Sequence, residues 1–181
     1  MGSLLHRVSD ELIQPESFLA CIEISKGSKN KYEYDEDMDA LRLDRILYTS
    51  THYPHNYGFI PRTWGLDNDP LDVLVISSEI MVPLSLVKCK PIGILEMIDE
   101  SGNDEKIIAV AESDPFYGCY NELKELPSHV MEEIEHFFKV YKQLEHNKST
   151  AVEGFEGREK AMKAIKNGKI RYKEKFKEEN Y

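Results

Sequence analysis

The chain has 181 residues, with 33 Asp and Glu against 23 Lys and Arg and a net charge of -10. That length suits one domain with a substantial core, and the acidic balance is the opposite of what a phosphate backbone attracts, which argues against nucleic acid as a partner. The three cysteines, Cys21, Cys89 and Cys119, are odd in number, widely spaced and free of any CxxC, so reduced thiols are expected rather than a disulfide framework or a structural zinc site.

The start of the chain lacks the basic-then-apolar pattern of a signal peptide, and no apolar run approaches the roughly 18 residues of a membrane span. A cytoplasmic protein with no membrane partner is expected. Residues 18–24, 31–34 and 41–48 alternate or are β-branched and read as strands. Tyr53-Pro54-His55-Asn56-Tyr57-Gly58 reads as a turn carrying two phenols. Residues 73–76, 87–95 and 107–110 are further strands. Between the last two, Ser101-Gly102-Asn103 reads as a hairpin turn that sets Asp99 opposite Asp104. After Pro127, the residues Val130, Ile134, Phe137, Tyr141 and Leu144 recur at helical spacing with Ser128 as N-cap. A second helix is expected from about 158 to 179, interrupted by Gly168, with a charged, solvated tail from about 172 to 181. Many short strands followed by helices predict a small barrel on which a helix packs, all within one domain spanning 1–181.

The most informative segment is Asp67-Asn68-Asp69-Pro70-Leu71-Asp72, three carboxylates in six residues directly before the strand at 73–76. Hard divalent cations such as Mg²⁺ and Mn²⁺ select carboxylate and water ligands, so the segment reads as a metal site. A solvated acidic turn is the alternative that its own residues leave open. An EF-hand does not fit, because Asp72 and Ser78 stand where its glycine and glutamate are required. The second acidic cluster, Asp99 to Asp104, would set like charges face to face unless a cation bridges them. Lys31 and Glu33, two apart, share one strand face, and Arg45 follows on the next strand. Carboxylates for metal together with Lys, Arg and Tyr donors for an oxyanion are an unusual collection for one small domain.

Asp67-Asn68-Asp69-Pro70-Leu71-Asp72-Val73 resembles the D-x-D-P-x-D-V signature of the soluble family I inorganic pyrophosphatases. The resemblance continues in order through Ile22-Glu23-Ile24, Lys31-Tyr32-Glu33, Asp44-Arg45, Tyr53 to Gly58, Asp99 to Lys106, and His136-Phe137-Phe138 through Tyr141-Lys142 to Leu144-Glu145. It covers about residues 18 to 157, and the short length resembles the bacterial members. The resemblance implies an α+β, mainly β fold, an OB-like five-stranded barrel with flanking helices. It further implies Mg²⁺-dependent hydrolysis of inorganic pyrophosphate to two orthophosphates, with Mn²⁺ or Zn²⁺ able to substitute and Ca²⁺ inhibitory.

By the same resemblance Asp67, Asp72 and Asp104 hold one cation, Asp72 is shared with a second, and Asp69 is the general base. Asp99 and Asp104 hold a cation that arrives with substrate, and Glu23 and Glu33 reach another largely through water. Lys31, Arg45, Tyr57, Lys106, Tyr141 and Lys142 bind phosphate oxygens, and Tyr53 belongs to the pocket wall. A homohexamer built as a dimer of trimers is implied too, although Val140 stands where many bacterial members carry a second interface histidine beside His136. Two other readings, a single-strand-binding OB module and a calcium-stabilised structural protein, leave the net charge or Lys31, Arg45, Lys106 and Lys142 unexplained.

Overall fold

Successive residues of a strand point to opposite faces, so a strand covered on both faces must be apolar throughout. β5 (Asp72–Ile76) illustrates this. Its Val73 and Val75 enter one core cluster and its Leu74 and Ile76 the other, all of them fully buried. The computed structural model describes residues 2–176. In it β1 (Phe18–Ile24), β4 (Asn56–Phe59), β5, β7 (Gly102–Ala111) and β6 (Leu86–Asp99) lie side by side in that order, and β1 also pairs with β6. The ring is therefore closed, which leaves no unpaired edge among the five strands. β5 and β7 run parallel, and the other neighbours are antiparallel. This is the mainly β, OB-like barrel that the sequence led us to expect.

Two additions shape the barrel's surroundings. β2 (Asn30–Asp35) and β3 (Ala40–Ile46) form a separate hairpin, and β8 (Thr150–Gly157) pairs with the second half of β6. α2 (Ser128–Val140) covers one face of the sheet with Ile134, Phe137 and Phe138. α3 (Arg158–Phe176) covers the other with Ala161, Ala164 and Ile165. The short α1 (Leu4–Arg7) buries Leu5 in a third cluster with Cys21, Phe59, Trp64 and Tyr172. Cys21 and Cys89 are buried, Cys119 is exposed, and all three are free thiols.

Several details depart from the sequence expectations. Residues 56–59 are a strand rather than part of a turn. Gly58 disguises it, and a glycine is required because a Cβ there would run into the Cys21 carbonyl of β1. β8 is likewise unforeseen, being broken by Gly154 at φ +145°. Ser128 is the first helical residue of α2 and Pro127 its N-cap, with no side-chain cap. The apolar stripe ends at Tyr141, because Leu144 lies beyond the helix and is 62 % exposed. In the β6–β7 hairpin Asp99 pairs with Gly102 and Asp104 with Met97, so the two aspartates are diagonal neighbours rather than opposite each other.

α3 runs through Gly168 without interruption. Gly168 is where the helix meets the loop between β4 and β5: a Cβ there would sit 2.7 Å from Leu71 Cδ1 and 3.3 Å from Thr63 Cβ, and the Trp64 N–H donates to its carbonyl at 2.9 Å. Tyr172 is buried, and the Phe176 ring meets Trp64 edge-on at 5.2 Å. The helix is thus docked as far as 176, past the expected start of a solvated tail, while residues 177–181 lie outside the described residues. Replacing Gly168 by Val drives a branched side chain into Leu71 and should lower the unfolding free energy by about 2 kcal/mol. Urea denaturation would show this as a lower midpoint at unchanged slope; an unchanged midpoint would mean that the contact is not closed.

Candidate active site

The register of β5 against β7 sets the centre of the site. Asp72 lies directly beside Lys106 across the parallel pair, and Asp104 stands two residues before Lys106 on the same strand face. Lys106 Nζ consequently donates to Asp72 Oδ2 at 2.5 Å and to Asp104 Oδ1 at 2.6 Å. Burial alone would push the lysine pKa down. Asp72, Tyr57 and Asp104 around it instead hold it well above the ordinary lysine range, so the ammonium stays charged.

Around this ion cluster lies a cavity of about 490 Å³, within the usual size for a small-ligand site. All fourteen residues singled out from the sequence line it: Glu23, Lys31, Glu33, Arg45, Tyr53, Tyr57, Asp67, Asp69, Asp72, Asp99, Asp104, Lys106, Tyr141 and Lys142. They come from the end of β1, the β2–β3 hairpin, β4 and the turn before it, the loop into β5, the β6–β7 hairpin, and the end of α2. The wall also includes Tyr32, Tyr34, Arg42, Asp44, Glu100, Phe138 and Lys148, to which the sequence assigns no role. Arg42 and Asp44 could have been found, since they alternate with the strand period on β3. Lys148, beyond the helix, carries no such signal.

Each cation of the wall is held by a carboxylate. Lys31 pairs with Glu33 and lies 3.4 Å from Asp44. Arg45 pairs with Asp44 and donates from Nε to Glu145 at 2.9 Å. Lys142 Nζ lies 3.1 Å from Asp99 and 3.4 Å from Glu100. Asp99 feels a burial penalty, but the Ser101 N–H and Lys142 outweigh it and keep its pKa low. Negative charge is nonetheless in surplus, with nine carboxylates facing six Lys and Arg. Burial first, and then repulsion from Asp72, pushes Asp67 up to about 6. Burial takes Glu23 up to about 8 against the stabilising Tyr34 N–H at 2.7 Å. Asp69 and Asp104 are raised as well, again by desolvation first.

The phenols form the apolar side of the wall. The Tyr53 ring lies 4.7 Å from Phe137 and 5.3 Å from Tyr57, and the Tyr141 ring stacks on Phe137 at 5.2 Å. Tyr141 is thus both a core residue and part of the cavity wall. Desolvation raises the pKa of all three hydroxyls, so they remain protonated donors.

The donor set suits hard divalent cations: it offers oxygen ligands only, in net negative surplus, with several carboxylates whose pKa values are raised, by burial first and then by their acidic neighbours. Among the described residues no three such groups converge as a ready ligand cluster. The Lys106 ammonium stands between two of them.

A closed five-stranded barrel whose cavity combines crowded carboxylates with Lys, Arg and Tyr donors defines a class, the small barrel enzymes that handle a polyanion together with cations. A family model described as Inorganic pyrophosphatase matches residues 20–173. The soluble inorganic pyrophosphatase 1 of Arabidopsis thaliana is 50 % identical over 151 residues, 83 % of this chain and 71 % of that protein. The inorganic pyrophosphatase of Aquifex pyrophilus is 47 % identical over 161 residues, 88 % of this chain and 91 % of its own. The solved Helicobacter pylori inorganic pyrophosphatase superposes with a TM-score of 0.87 at 43 % identity, covering 89 % of this chain and 96 % of that one. The chain belongs to the inorganic pyrophosphatase family. No helix among the described residues is long and apolar enough to cross a membrane.

The raised Glu23 has a consequence for stability. Its ordinary pKa of 4.5 rises to about 8 on folding, so between those values the folded chain holds a proton that the unfolded chain does not. The Glu23 contribution to the unfolding free energy therefore falls as pH rises through that window in chelator, while His55, which burial lowers from 6.5 to about 4, contributes in the opposite sense below pH 6.5. Urea titrations in EDTA from pH 6.5 to 9 should show a falling midpoint for the wild type and a flatter profile for Glu23→Gln; identical slopes would remove Glu23 as the cause.

Proposed function

We propose that this chain hydrolyses inorganic pyrophosphate to two orthophosphates with Mg²⁺ as cofactor, and that Asp69 is the general base. The observation that carries the assignment of the base is an asymmetry in pairing. Lys106, Lys31, Lys142, Arg45 or a backbone N–H is hydrogen-bonded to each of the other carboxylates that line the cavity. Among the described residues no donor is paired with the Asp69 carboxylate, and its pKa is raised by partial desolvation and by Asp72 and Glu33. An unpaired carboxylate of raised basicity is suited to accepting a proton from water.

Asp67, Asp72 and Asp104 would hold one cation, with Asp72 shared with a second; Asp99 with Asp104, and Glu23 with Glu33, would hold those that accompany substrate. Bound there, Mg²⁺ supplies the charge that acidifies the attacking water and offsets the phosphate oxygens. Mn²⁺ or Zn²⁺ would replace it, and Ca²⁺, which prefers more ligands at longer distances, would inhibit. Lys31, Arg45, Tyr57, Lys106, Tyr141 and Lys142 would bind and orient the two phosphates, and Tyr53 packs behind them. Lys and Arg neutralise charge on the leaving phosphate, while the protonated phenols donate hydrogen bonds without adding charge. A cytoplasmic location and a hexamer of two trimers complete the proposal, on the strength of the family resemblance.

Phosphate release should be fast with pyrophosphate and Mg²⁺, absent in EDTA, suppressed by Ca²⁺, and far slower with ATP or a phosphomonoester. Asp69→Asn should lower kcat about 10²–10⁴-fold while leaving Mg²⁺ affinity little changed. Near-normal turnover of that variant would refute the assignment of the base.

A further inference from the structure

Arg45 reaches the cavity from β3, and its three nitrogens are unequally used. Nε donates to Glu145 Oε1 at 2.9 Å, and Nη1 is held by Asp44. Nη2 is buried and has no hydrogen-bond partner among the described residues. A buried N–H donor without a partner is unfavourable in a finished structure, and it is where a ligand oxygen is most needed. Glu145 is itself only 9 % exposed and lies in the turn after α2, its N–H bonded to the Lys142 carbonyl at 2.9 Å. Its second oxygen faces Lys148 Nζ at 3.2 Å.

We propose that Glu145 is a positioning residue for phosphate binding: it holds the Arg45 guanidinium by Nε so that Nη2 is directed at a substrate oxygen. The geometry suits the task. A guanidinium is a rigid planar fork, so fixing Nε and Nη1 fixes the direction of Nη2. The contact also joins residues 100 apart in sequence, closing the β2–β3 hairpin onto the segment that presents Tyr141 and Lys142. Glu145 touches no reacting atom and acts only through Arg45. The inference rests on the reading of Arg45 as a phosphate donor.

The test is a double-mutant cycle on KM and kcat with crystal structures of the variants. Glu145→Ala frees Nε, and misplacing a binding group by about 1 Å can cost on the order of 10²-fold in activity; here a rise in KM for pyrophosphate of about 10-fold or more is expected, larger than any loss in kcat. Glu145→Gln retains an acceptor and should recover most of that loss. Once Arg45 is replaced by Ala, adding Glu145→Ala should change nothing further. Additive effects in the cycle, an unaltered KM in Glu145→Ala, or a variant that is less stable yet kinetically normal would overturn the proposal. If the wild type releases no phosphate from pyrophosphate, the functional reading fails by itself. The crystal structure of Glu145→Ala still decides the positioning, since Arg45 must swing away from its wild-type direction and the proposal falls if it does not.

Discussion

A lysine ammonium held between two aspartates, deep in the mouth of a closed barrel, organises this molecule. Three charges in so little water are tolerated only because they are hydrogen-bonded to one another; removing one partner would strand the rest. Their meeting depends on backbone register rather than on side-chain reach. β5 and β7 are parallel, Asp72 faces Lys106 across the pair, and a slip of one residue would turn these side chains to the opposite face. The apolar residues that follow, Val73 to Ile76 and Ile107 to Val110, set that register by burying both faces of the pair. The most polar part of the protein is thus held in place by its least polar strands.

From this centre the rest of the site is assembled by elements that each have a packing reason to be there. α2 buries Phe137 and Phe138, and in doing so brings Tyr141 and Lys142 to the cavity. α3 presses Gly168 against Leu71 and so supports the loop that carries Asp67 and Asp69. The β2–β3 hairpin has little core of its own, every residue of β2 being only partly buried. It is tethered by the Tyr34 ring stacked on Phe59 and by polar contacts, from the Tyr34 N–H to Glu23 and from the Leu4 N–H to the Tyr34 hydroxyl at 2.7 Å. The α1 segment thereby belongs to the architecture of the cavity even though none of its residues lines it.

Local chemistry made much of this legible in the sequence. β1 is readable at its observed limits because all its residues but Glu23 are apolar and lie between turn signals, and the Asp67 to Asp72 segment stands out by its density of carboxylates although its own residues leave a solvated acidic turn open. β4 was hidden by Gly58, whose presence answers to the neighbouring strand and not to its own propensity. The Asp99 and Asp104 register is not legible in the sequence because it depends on the turn, which uses Glu100 and Ser101. What could not be read was pairing at a distance: that Lys106 would be shared between two aspartates, or that Glu145 would hold Arg45, follows from closure of the barrel and not from any spacing along the chain.

The cations of the cavity wall each have a carboxylate partner in place, so the pocket supplies its own counter-ions. A simple monovalent anion offers too little to dislodge several such partners at once, whereas a ligand bearing many oxygens and accompanied by divalent cations can exchange all of them together. On the proposed function, the site would act as a small ion exchanger that favours ligands of high valence.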